Sequence, residues 1–109
     1  MAESSGTGLL IANTRLDVVA VDRFFLDVFQ LQEDDVVGKP VSRSLGGDQR
    51  LEVELLAALL FETPVVDYGI RVGSRAFVVS AAPARMEGME GAGLFVTVSD
   101  VTGLHGATH

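Results

Sequence analysis

The chain has 109 residues, 48% of them hydrophobic, enough for one compact core and too few for two. It contains no cysteine, which excludes disulfides, thiolate metal sites and a cysteine nucleophile, as well as any flavin or chromophore held through a sulfur bond. Fifteen acidic against eight basic residues give a net charge of −7 with no Lys/Arg cluster, which opposes a phosphate backbone, so no direct nucleic-acid partner is expected. No apolar run approaches the roughly 20 residues needed to cross a bilayer. The opening MAESSGTG has no basic segment ahead of a long apolar one, so the expectation is a cytoplasmic domain without membrane contact.

Residues 1–7 read as a disordered segment or a short N-terminal arm. GLLIA (8–12) is a short apolar run, NTR (13–15) a turn, and LDVVAV (16–21) a β-branched strand, which together predict a β-hairpin. Asn13 is not followed by glycine, so the tight two-residue turn is not assured. At Asp22 the period changes. Phe25, Val28 and Phe29 fall at helical spacing over 23–30, with Leu26 close to the same stripe, and Asp22 is placed to cap it. QEDDVVGKPV (32–41) predicts a second helical turn stopped by Gly38 and Pro40. Its acids Glu33, Asp34 and Asp35 favour the dipole of a helix start, a better reading than a metal site, and no metal is expected. SRSLGG (42–47) reads as a loop, and DQRLEVELLAALLFE (48–62) as the clearest helix. Asp48 caps it, Pro64 lies past its end, and Leu51, Leu55, Leu56, Leu59 and Leu60 form a broad stripe expected to lie on a sheet.

Three strand-like runs follow. In VVDYGIRV (65–72) the even positions Val66, Tyr68, Ile70 and Val72 form the apolar face, with Asp67 and Arg71 on the other. A tight reversal at VGS (72–74) leads into RAFVVSAAPA (75–84), where Phe77, Val79 and Ala81 share a face. RMEGMEGAG (85–93) is a polar turn. In LFVTVSD (94–100) Leu94, Val96 and Val98 should face the helices, leaving Phe95, Thr97 and Ser99 outside. Two strands, several helices and three antiparallel strands make an α+β pattern. Helices cover one face of one sheet, and the first hairpin crosses to pair with the last strand.

The segments GLLIANTRLDVVAVDRFFLDVF, EDDVVGKPV and VTVSDVT, in that order and spacing, resemble a PAS domain over about Gly8 to Thr102, with 103–109 as a tail or the start of a linker. Two departures are Asp22, where the family often has Asn, and Gln30, where it often has Gly. The resemblance implies a five-stranded antiparallel sheet with short helices on one face, enclosing an apolar pocket or a filled core. It also implies a sensory module of a bacterial sensor kinase, transcription regulator or cyclic-nucleotide enzyme, with an output domain in the full-length protein. No cofactor is expected. Thiol-linked chromophores lack their cysteine, and a haem branch takes its axial histidine from the helical region, whereas His105 and His109 lie beyond the last strand. No polar cluster argues for a non-covalent FAD.

The candidate pocket comprises Phe25, Phe29, Leu55, Leu59, Ile70, Phe77, Val79, Val96 and Val98, with Tyr68 as its polar handle. The competing reading is that these side chains simply fill the core. Val65, Val78 and Phe95 on the outward face form a candidate homodimer or docking surface. The resemblance also implies that Asp100 and Thr102 close the last strand and set the chain's exit, the carboxylate accepting nearby donors and the Thr102 hydroxyl bonding back to the local backbone. Gly103 and Gly106 oppose a rigid helix immediately beyond, so the chain reads as a module separated from its output. No histidine sits on a predicted element and no GxSxG, HExxH or phosphate-loop pattern occurs, so an enzyme is not expected. Glu52 with Glu54, and Asp34 with Asp35, read as solvated helix faces.

Overall fold

A computed structural model of the chain describes residues 7–85 and 93–101. In chain order the elements are β1 (Thr7–Ala12), β2 (Val18–Val21), α1 (Arg23–Phe29), α2 (Glu33–Val36), α3 (Val41–Ser44), α4 (Gln49–Phe61), β3 (Val65–Val72), β4 (Arg75–Ala84) and β5 (Gly93–Asp100). The strands form one antiparallel sheet in the order β2-β1-β5-β4-β3. The first hairpin therefore joins the C-terminal strands through β1 and β5, with Leu10 beside Val96 and Ala12 beside Leu94. Alternation decides which face is covered: Leu10 and Ala12 of β1, Phe77, Val79 and Ala81 of β4, and Leu94, Val96 and Val98 of β5 all point into the core.

The first turn is longer than NTR. The Asn13 side-chain oxygen accepts from the backbone N–H of Arg15 at 2.9 Å and of Asp17 at 3.1 Å, an Asx-type arrangement that holds the chain curled through residue 17. Leu16 adopts a left-handed φ of 65°, and its carbonyl accepts from Val41 N–H at 2.9 Å while its side chain is buried. The second strand accordingly starts at Val18 rather than at residue 16.

Asp22 caps α1 by accepting from Phe25 N–H at 2.9 Å. Gln30 ends the helix at φ 56°, the left-handed position where glycine is the usual choice. The segment expected as a loop at 42–47 begins instead with α3. Pro40, with φ −59°, starts this short turn, which buries Val41 and Leu45 completely. Asp48 caps α4 through the N–H groups of Arg50 (2.9 Å) and Leu51 (3.1 Å). The broad leucine stripe divides. A helix resting on a sheet buries one narrow face, here Leu51, Leu55 and Ala58, so Leu56 and Leu60 stay exposed.

β3 also departs from strict alternation. Its register with β4 shifts between Val65 and Tyr68, and Asp67 has φ 53° with its N–H held by the Ser80 hydroxyl oxygen at 3.0 Å. This bulge turns Val65 inward and Val66 outward. Val65, expected on the outer dimer face, therefore belongs to the core, and Val66 takes the exposed place.

The tightest approach between helix and sheet lies at Gly8. A Cβ there would come within 2.8 Å of Phe25 Cβ and 2.9 Å of Phe25 Cα, so β1 and α1 can touch only with glycine at this position. Gly8→Ala is expected to lower unfolding stability by about 1–3 kcal/mol, the usual range for overpacking. Urea denaturation checks this, and an unchanged midpoint would contradict the close approach.

Candidate functional site

The sequence pattern of α1 aims two rings at the sheet. Phe25 and Phe29 are four residues apart, hence on one face, with centroids 4.5 Å apart and planes tilted by 31°. Phe29 then stacks on Phe77 of β4 at 4.7 Å and 27°. The turn at Gln30 ends the helix directly after Phe29. The three rings thus form a continuous column from helix to sheet.

Arg75, two residues before Phe77, completes the column. Its guanidinium carbon lies 5.5 Å from the Phe77 ring centroid. One terminal nitrogen donates to the Val28 carbonyl at 3.1 Å, near the end of α1, and the other donates to the Asp100 carboxylate. A single side chain thereby joins the helix end, the start of β4 and the end of β5. Nearby, Val101 N–H donates to the Ala76 carbonyl at 2.9 Å and extends the β4 pairing past Asp100. Thr102, His105 and His109 lie outside the described residues.

The predicted pocket residues do come together. Phe25, Leu55, Ile70, Phe77, Val79, Val96 and Val98 are buried in one cluster, and Phe29, Leu59 and Tyr68 pack on its margin. Tyr68 is not a handle inside a cavity. It lines a surface groove with Gln49, Arg50, Val53 and Glu54, because β3 is the edge strand of the sheet. Outside the ring column a surface recess of about 300 Å³ is bordered by Val28, Phe29, Gln30, Val72, Arg75 and Phe77. Among the described residues no group of three His, Cys, Asp or Glu side chains is arranged to hold a metal ion, and no helix is long and apolar enough to cross a membrane.

The outer sheet face has no such column. Phe95 on β5 sits between Ile11 of β1 and Ala82 of β4 and is 39% exposed. Beside it an apolar depression of about 280 Å³ is bounded by Pro64, Val66, Ala82 and Thr97, among others. Val78 is partly exposed on its strand, opposite Ser99 on one side and Gly69 on the other.

Arg75 belongs to no sequence motif, and its role follows from the strand pairing alone. Once β4 and β5 are antiparallel neighbours, the first residue of β4 must lie near the last of β5, which brings an arginine to Asp100.

The family described as PAS fold matches residues 1–101, and the chain belongs to the PAS family. Among solved structures it is similar to the PAS domain of the histidine kinase ThkA, with 16% identity and a TM-score of 0.69 over 86% of this chain and 98% of that one. A domain of an HTR-like protein from Haloarcula marismortui gives 23% identity and 0.67 over 88% and 98%. The PAS domain of Bordetella pertussis BvgS gives 19% identity and 0.64 over 94% and 87%. At these identities the structures establish the fold. No curated protein sequence matches the chain.

The Arg75–Asp100 contact is partly solvated, Arg75 being 45% and Asp100 17% exposed in their side chains. A double-mutant cycle of Arg75→Ala and Asp100→Ala in urea should return a coupling of about 0.5–1 kcal/mol, the range of partly exposed pairs. Additive effects would show that the bridge does not join β4 to the exit of β5.

Proposed function

We propose that this PAS domain is a sensory or regulatory interaction module of a larger signalling protein, self-associating through its outer sheet face, with its inner face closed by its own side chains. The observation that carries this reading is Phe95. An aromatic residue on a central strand, exposed beside an apolar depression, is what a protein contact needs and what a merely solvated face does not. Val66 extends the patch toward the sheet edge at 69% exposure. ThkA, whose PAS domain this chain resembles in fold, is a histidine kinase, which supports an output domain in the full-length protein.

The geometry suits the transfer of a signal along the sheet. β5 carries Phe95 on its outer side and Asp100 at its end, so a partner pressing on one moves the strand that leads to the other. The ring column backs the opposite face and gives that strand a firm support. The reading assigns no catalysis and no cofactor, since the chain has no cysteine and its two histidines lie beyond the last strand.

Sedimentation over a concentration series tests this reading. The wild-type chain is expected to shift from monomer to dimer, and Phe95→Glu to stay monomeric with an unchanged circular dichroism spectrum. A wild-type chain that remains monomeric at its highest concentration contradicts the dimer.

A further inference from the structure

Helix α4 is apolar on two opposite sides. Leu51, Leu55 and Ala58 pack into the core, while Val53, Leu56 and Leu60, at spacings of three and four, line up on the side facing water. They are 64%, 45% and 68% exposed; Phe61, which follows Leu60 about 100° round the helix, is 72% exposed. Contiguous exposed apolar side chains rimmed by charged ones are a feature of interaction surfaces on soluble proteins. Helix formation does not require them, because glutamate, lysine or glutamine would serve an exposed helix as well.

The charges around the stripe are mostly of one sign. Glu52 flanks it on one side and Glu54 on the other, and Glu62 stands at its end, all exposed. Arg50 near the helix start is the single base on α4. Beside its N-terminal half, the stripe continues into a groove of about 520 Å³ formed by Val53, Glu54, Gln49, Arg50 and Tyr68. An occupant must therefore be apolar along one line and basic beside it. A second copy packed through this same face fits poorly, since it would bring the exposed Glu52, Glu54 and Glu62 against their own like charges. A single helix laid in the groove needs only such a stripe.

We propose that the outer face of α4 docks an amphipathic helix of another protein, with apolar residues at intervals of three and four and Lys or Arg beside them. This site is separate from the sheet face around Phe95 and does not rest on it.

The test measures fluorescence anisotropy of two labelled synthetic helices of about 14 residues, roughly four turns. One is built from Leu and Lys, and the other has the same pattern with Glu in place of Lys. The Leu/Lys helix should bind the intact chain saturably at one site and the Leu/Glu helix should not. Val53→Ser with Leu60→Ser should weaken binding by roughly tenfold or more, as expected when two apolar contacts are lost. Glu52→Gln with Glu54→Gln should weaken it a few-fold and flatten its salt dependence. Phe95→Ser should leave it unchanged, which separates this site from the sheet face. Equal binding of both helices, no saturable binding by the wild type, or undiminished binding after the Val53 and Leu60 changes would overturn the proposal. So would a wild-type dimer that Leu60→Ser dissolves, because a second copy would then cover the stripe.

Discussion

The stacking of Phe29 between Phe25 and Phe77 is the contact on which the rest of this domain depends. α1 is only seven residues long and has no independent stability in water. Burying a phenylalanine contributes about 1.5–3 kcal/mol, and each well-placed ring pair adds roughly 0.5–1.5 kcal/mol, so this column is what fastens the helix to the sheet. It works only because Gly8 lets β1 approach Phe25 and because the turn at Gln30 stops the helix after Phe29. Arg75 then locks the helix end through the Val28 carbonyl and carries the connection to Asp100.

The inner face buries Phe25, Phe77 and their aliphatic neighbours, and apolar side chains remain on the outer faces as well. The sheet keeps Phe95 and Val66 partly or largely in water, and α4 keeps Val53, Leu56, Leu60 and Phe61 there. Each exposed apolar residue forgoes stabilisation that burial would provide, or that a polar residue would not require. A chain so acidic gains solubility from its charge and can carry such patches. β5, which carries Phe95, lies between β1 and β4 and is paired on both sides.

Much of the fold was legible in the sequence because its elements obey simple periods. The helix caps Asp22 and Asp48, the inward residues of β4 and β5, and the pairing of the first hairpin with the last strand all follow from local chemistry and connection rules. The misreadings have local causes that pattern cannot carry. A bulge at Asp67 reversed the faces at Val65 and Val66 by inserting a residue into an otherwise regular alternation. Leu56 and Leu60 were placed with the core leucines because an α4 stripe that broad has no single buried side. Tyr68 kept its face and still missed the core centre, since its strand is at the sheet edge. The role of Arg75 needed the neighbouring strand to be known first.

The central claim is that the space between helices and sheet is filled by Phe25, Phe29, Phe77 and their aliphatic neighbours, leaving function to the outer faces. Native mass spectrometry of the purified chain tests it most directly. The account predicts the mass of the polypeptide, or of its dimer, with nothing else retained. A small molecule held in stoichiometric amount and released on denaturation would contradict it.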